Sequence, residues 1–551
     1  MNFRTKLTVV LSTSMLLFAA CENQQTEEVR PTLPQLQIPN ASQLNATLLQ
    51  RFADQGSLNW QDMEDGLLYS ALKESNYILS IGYKQANQEF TIDQAANFRA
   101  GDEAWTQART LLLSDITDFM GKNGIELPEQ LVLNVSPQFA NMELYISNPL
   151  LLNYVRNHPL VRYAEANFYE VDFNGEAKVA DSYVIEEPCL IGIDGEPCDF
   201  DTDPDPISPP SSSNCYTPIH LDDGGLGCGW AFPEELDSRD YTVIPSGTGT
   251  GHAKKSWVLD NIGMTSYAWS RGNAGAGIGV ALIDTGISPN QCNLAYPKFN
   301  SGGSISTRII EKKKTYGNNV ADACGHGTEM AALIAAPRTE SGTVTGAAYN
   351  CNLYSYKANE DAYINVSSQV NAIAAAIKDA ANNSDVRIIS ISQGSAFDKS
   401  AIKEAIEIAY SKGKLIVCAA GTSFARVNGV AFPARMWQTI SVTGRETGDT
   451  NKACDRCHYG LKVDFSVVMQ RRLADGRTAP CIAEWGDNNS YVSGSSSATA
   501  ITAGALAVIW AAHPYETAQQ IRQRLIRSAE NQDHSDPKFG YGNYNVHVAI
   551  L

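Results

Sequence analysis

The chain is 551 residues long, 43% hydrophobic and 19% charged, a globular composition at a length that calls for two domains plus linkers. Its 60 acidic and 42 basic residues leave a net charge of -18. No basic face stands out to grip phosphates, so nucleic acid is excluded as a partner, and the acidity reads as solubility.

The N-terminus carries Arg4 and Lys6, an apolar run from Leu7 to Phe18, and then Ala19-Ala20-Cys21. Positive end, short apolar core and small residues are the order of a signal peptide, and the run is too short to span a bilayer. A cysteine directly after small residues resembles the lipobox of bacterial lipoproteins, although Phe18 stands where that box usually has leucine. The resemblance implies a signal peptide over 1–21, acylation of Cys21 and an anchor at a bacterial outer membrane or cell surface. Ordinary cleavage would instead give a periplasmic or extracellular protein. Residues 22–74 read as a tether or linker.

Twelve cysteines suit an oxidising compartment. Setting Cys21 aside leaves an odd number, so at least one thiol stays free, and Cys418 inside the apolar run 415–420 is the candidate. Cys454 and Cys457 have the spacing of half a zinc site, but no second ligand pair accompanies them, which favours disulfides. The pairing itself stays open.

Residues 75–173 read as a small α/β unit, with strands at 77–83, 131–135 and 161–171 and helices at 105–119 and 149–157. Residues 174–254 differ in kind. They hold Pro204, Pro206, Pro209 and Pro210, a serine run, and Cys189, Cys198, Cys215 and Cys228, the composition of a linker. Asp199, Asp201, Asp203 and Asp205 alternate as in a calcium loop, but Pro204 occupies the place of its glycine. A solvated acidic linker is the better reading.

From 255 to 551 buried strands alternate with helices. Strands fall at 278–283, 386–392 and 414–420; helices at 367–382 and 401–411 carry inward faces of Val370, Ile373, Ala374 and Ile377, and of Ile402, Ala405, Ile406 and Ala409. This pattern predicts a parallel sheet covered by helices on both faces, with its site at the carboxyl ends of the strands.

Polar residues appear at those ends. Asp284 closes the first apolar strand in Asp284-Thr285-Gly286, where a carboxylate can orient a histidine. His326 opens an alanine-rich helix between two glycines, with its imidazole free to act as a general base. Ser496 lies in Gly494-Ser495-Ser496-Ser497-Ala498-Thr499 before a long apolar helix, where free backbone N–H groups favour an oxyanion. Spacing alone does not choose among the three serines.

The order Asp, His, Ser resembles that of the subtilisin-like serine proteases. Four further segments resemble that family: 389–394, its substrate strand; 417–421, the wall of its specificity pocket; Phe432-Pro433-Ala434, a turn with a cis proline; and the closing segment 540–546. Alignment to the family's Gly-Thr-Ser-Met-Ala pattern selects Ser496. The resemblance implies a serine endopeptidase that works through an acyl-enzyme on a peptide or protein. The peptide lies along Ser392, Gln393 and Gly394, Ala420 and Gly421 line the pocket, and Thr422 stands in the place of the oxyanion asparagine. No cofactor is required; calcium is frequent in the family, and no site for it is identified. The end of the 75–173 unit, around 157–167, resembles the tail of subtilisin propeptides, which implies a zymogen with its own intramolecular inhibitor. Glu329, Ala500 and Gln393 depart from the family's usual histidine, proline and leucine. Because Thr422 replaces asparagine, the alternative is a catalytically weakened, protease-like binding or chaperone module.

Overall fold

The computed structural model describes residues 37–171, 232–245, 251–294, 299–301, 304–306, 308–364, 367–423, 427–448, 451–472 and 476–551. Cys21, the acidic run from Asp199 to Asp205 and the four cysteines of the 174–254 stretch lie outside the described residues.

Seven strands form the main sheet, in the order Ile310–Lys314, Asn352–Lys357, Gly279–Asp284, Val386–Ile391, Leu415–Ala419, Ile440–Glu446 and Phe465–Gln470. Every neighbouring pair is parallel. Strand Gly279–Asp284 is buried along its whole length because helices cover both faces of the sheet. Helices Ser367–Asn382 and Ser400–Ser411 turn in the apolar faces named above, with Ile373, Ile377, Ile402 and Ile406 fully buried. Helix Gly494–Ala512 is long and apolar enough to cross a membrane, yet its apolar stretch is packed inside the protein as the centre of the core.

The N-terminal unit is a four-stranded antiparallel sheet, ordered Val132–Val135, Asn141–Tyr145, Ile78–Tyr83, Val161–Glu165. The last strand is shorter than the 161–171 predicted. Strand alternation decides what each face meets. Leu79, Ile81, Tyr83, Met142, Leu144 and Ala164 join the unit's own core with helices Glu103–Lys122 and Pro149–Arg156. The alternate residues meet the two peptidase helices. Ser80 Oγ lies 3.1 Å from Ser367 Oγ and Asn141 Nδ2 donates to Asn371 Oδ1 at 3.0 Å, while Arg162, at a shift in the register of the last strand, pairs with Glu404. Glu165 accepts from the backbone N–H of Ser400 at 3.2 Å, where a carboxylate complements the N-terminus of helix Ser400–Ser411.

Among the described residues, parts of the two stretches read as linker form helices and a strand. Helices Ala41–Gln55 and Asp65–Glu74 fall within 22–74 and bury Leu44, Leu48, Phe52, Leu68 and Leu72 in the N-terminal core. Trp60 stacks on Phe397 at 4.5 Å, worth about 1 kcal/mol beyond area burial. Strand Tyr241–Pro245, within 174–254, pairs with His252–Ser256.

Candidate active site

Register brings the site together. Ile283 pairs with Ile391 and Ile391 with Cys418, so Asp284, Ser392 and the 419–422 turn emerge side by side at the carboxyl edge of the sheet. Asp284 is fully buried, and its Oδ1 accepts from Thr285 N–H at 2.9 Å and lies 2.7 Å from His326 Nδ1. That pairing fixes the tautomer with the proton on Nδ1 and leaves Nε2 to accept. Burial pulls the imidazole down, but the charge and hydrogen bond of Asp284, with the charges of Glu329 and Asp322, outweigh it. The net effect raises His326 from 6.5 to about 9.

His326 is the first residue of helix His326–Ala335, held from below by Asp322. This buried carboxylate accepts from the N–H groups of Cys324, Gly325 and Thr328 at 2.9 Å each, and from the hydroxyls of Thr285 at 2.9 Å and Thr328 at 2.6 Å. It ties the aspartate turn to the histidine helix. Sequence reading missed it; a carboxylate four residues before a Gly-His-Gly helix start was its only trace.

Ser496 lies in the first turn of helix Gly494–Ala512 rather than before it. Its neighbours are fully buried and their hydroxyls are engaged. Ser497 Oγ donates to the Ser493 carbonyl at 2.9 Å, and Ser495 Oγ accepts from Gly421 N–H at 3.1 Å. Ser496 alone of the three is partly open to solvent. Its Oγ donates to the Ser392 carbonyl at 3.3 Å, and Ser392 Oγ donates back to the Ser496 carbonyl at 3.2 Å.

Thr422 Oγ1 accepts from Ser495 N–H at 3.1 Å and lies 2.9 Å from Ser495 Oγ. The turn it occupies requires Gly421, at φ +121°, where a Cβ would come within 2.5 Å of His458 Nδ1. Burial lowers His458 to about 4, so the ring is neutral, and it approaches Ser423 Oγ at 2.9 Å through Nε2. His458 directly follows the loop closed by the Cys454–Cys457 disulfide, and the backbone there pairs with the same turn: Ser423 N–H donates to the Arg456 carbonyl and His458 N–H to the Gly421 carbonyl. The sequence favours disulfides over zinc for these two cysteines, with the pairing open, and carries no sign that the loop supports Thr422. Cys418 is a free buried thiol, as are Cys351 and Cys481.

Ala420 is fully buried behind the turn, its N–H bonded to the Val442 carbonyl, and the Phe432–Pro433 bond is cis. Gln393 is buried, and Gly394 pairs with the segment around Tyr363. Among the described residues, no three His, Cys, Asp or Glu side chains cluster as a metal site would require.

Residues 275–542 match the Subtilase family, Peptidase_S8. The chain is 31% identical over 315 residues to the alkaline elastase YaB of Bacillus sp. (strain YaB), spanning 57% of this chain and 75% of that protein. The chain belongs to the subtilase family. This subtilase is also 32% identical over 287 residues to subtilisin DY of Bacillus licheniformis, spanning 51% of this chain and 93% of that protein. A third relative is the minor extracellular protease Epr of Bacillus subtilis (strain 168), 29% identical over 313 residues. That match spans 56% of this chain and 43% of the relative. The subtilase is a serine endopeptidase acting on peptide or protein substrates, and its α/β fold with a parallel sheet is that of its family.

Proposed function

We propose that Ser496 is the nucleophile, His326 the base that takes its proton, and Asp284 the carboxylate that orients His326. A peptide lies beside Ser392–Gly394 with its leading side chain toward Ala420 and Gly421. Ser496 attacks the scissile carbonyl, the Ser496 N–H and Thr422 hold the oxyanion, His326 protonates the leaving amine, and water releases the acyl-enzyme. One observation carries this reading: Ser496 is the only partly open hydroxyl of its run, and it is bonded to the residue beside the Asp284–His326 pair. Stoichiometric labelling of Ser496 by a fluorophosphonate tests it, and labelling elsewhere would overturn it.

The base must be neutral, and its folded value of about 9 lies above neutrality. The expected kcat/KM therefore rises about tenfold per pH unit up to a bend near 9. A profile already flat at pH 7 would mean that His326 titrates below neutrality, with its burial outweighing the pull of Asp284.

We further propose that the 75–173 unit is a propeptide and Cys21 a lipidated anchor that tethers the exported protein to a bacterial membrane. The extracellular relative supports export. For the inhibitor, support comes from the contacts with helices Ser367–Asn382 and Ser400–Ser411. Further support comes from Glu170, whose Oε1 accepts from Ser395 Oγ at 2.7 Å, one residue past Gly394. Because helices Ala41–Gln55 and Asp65–Glu74 supply part of that unit's core, a separately made segment starting at 38 should inhibit at micromolar concentration. One starting at 75 should inhibit at least tenfold less well. Equal inhibition by both would show that the helices add nothing.

A further inference from the structure

A peptide added beside Ser392–Gly394 needs the main-chain N–H and C=O of Gly394, and both are taken. Gly394 N–H donates to the Ala362 carbonyl at 3.2 Å, and Ile364 N–H donates to the Gly394 carbonyl at 3.1 Å. Two side chains pin the same segment. Gln393 Nε2 donates to the Asp361 carbonyl at 3.0 Å, and Tyr363 OH reaches across to the Thr422 carbonyl at 2.9 Å. Gln393 is buried with its Oε1 unbonded in the closed arrangement. Leaving a buried acceptor without a donor weakens that arrangement.

We propose that residues 361–364 are a latch seated where the peptide's own backbone would lie, and that Tyr363 and Gln393 set which length of peptide the enzyme accepts. The inference rests on Ser496 being the nucleophile. Ser496 is bonded to Ser392, so the scissile carbonyl is read there, and Gly394 lies two residues along the strand at about 3.3 Å per residue. A substrate with a single residue on the acyl side stops short of Gly394 and leaves the latch shut. One with four residues needs the Gly394 groups and must open it. The apparent affinity of such a peptide is reduced by the fraction of enzyme that is open, which raises KM and leaves kcat unchanged.

The test uses enzyme purified from full-chain expression, a tetrapeptide p-nitroanilide, an N-acylated single amino-acid ester, and a fluorophosphonate. Tyr363→Phe removes one hydroxyl and should raise kcat/KM on the tetrapeptide about fivefold, the worth of one neutral hydrogen bond, through KM. The ester should change less than twofold. Gln393→Leu should move the tetrapeptide's KM in the same direction. If fluorophosphonate labels parent and Tyr363→Phe at equal rates while both variants leave the tetrapeptide's KM unchanged or raised, the latch is wrong. A parent that fluorophosphonate does not label overturns the nucleophile assignment and the latch with it.

Discussion

Replacing Ser496 by alanine is expected to abolish peptide hydrolysis, a fall in kcat on the order of a millionfold, since the acyl-enzyme cannot form without the nucleophile. The substitution removes one hydroxyl whose bond runs to the Ser392 carbonyl, so the fold should be retained and the thermal midpoint should stay within a few degrees. If the chain cuts its own N-terminal unit, the variant accumulates at full precursor length, which gel electrophoresis reads directly. Ser497→Ala deletes a bond to the Ser493 carbonyl within the helix start and should keep most of the activity. Ser495→Ala should fall between the two, because Ser495 Oγ supports both Gly421 and Thr422 without facing solvent. Should Ser495→Ala be the inactive variant and Ser496→Ala the active one, the nucleophile has been assigned one residue out of register.

The peptidase domain was legible because strands of a doubly covered parallel sheet are apolar throughout, and because Asp284 and Ser392 punctuate their carboxyl ends. The helix Ser367–Asn382 coincides with its predicted span, since its apolar spacing is unbroken. Helix Ala41–Gln55 escaped because its buried apolar residues, Leu44, Leu48 and Phe52, stand four apart among Asn, Gln and Thr, a stripe too narrow to stand out. A local signal was present: Asn40 and Gln43 form a capping box. The bonds of Asp322 to Cys324, Gly325 and Thr328 are local, but its tie to Thr285, and that of His458 to Gly421, join groups distant in sequence and were not legible. The latch was invisible for the same reason. Nothing in the residues 361–364 says that their backbone will pair with Gly394.

Thr422→Val is expected to lower kcat by about a hundredfold with little change in KM, the range in which losing one oxyanion donor falls, and the pattern of an interaction made mainly in the transition state. On the role proposed for Thr422, hydrogen bonding around its hydroxyl supports threonine as the donor. Ser495 N–H donates to Thr422 Oγ1 at 3.1 Å, and Ser495 Oγ, already accepting from Gly421 N–H, can direct its own proton to the same oxygen at 2.9 Å. With both lone pairs of Thr422 engaged, its proton is left to donate outward. The hydroxyl also sits 3.2 Å from the point where a Cβ on Gly494 would stand, so the glycine that opens the serine helix is what lets the threonine come close. A side chain shorter than asparagine is thus brought nearer by the backbone. Thr422→Asn should consequently not exceed the parent by more than a few-fold, because the longer amide meets that same close packing and loses the bond to Ser495 N–H. If Thr422→Val turned over peptide as fast as the parent, Thr422 would be a cap for the serine helix and no oxyanion donor, and the Ser496 N–H would carry the charge without it.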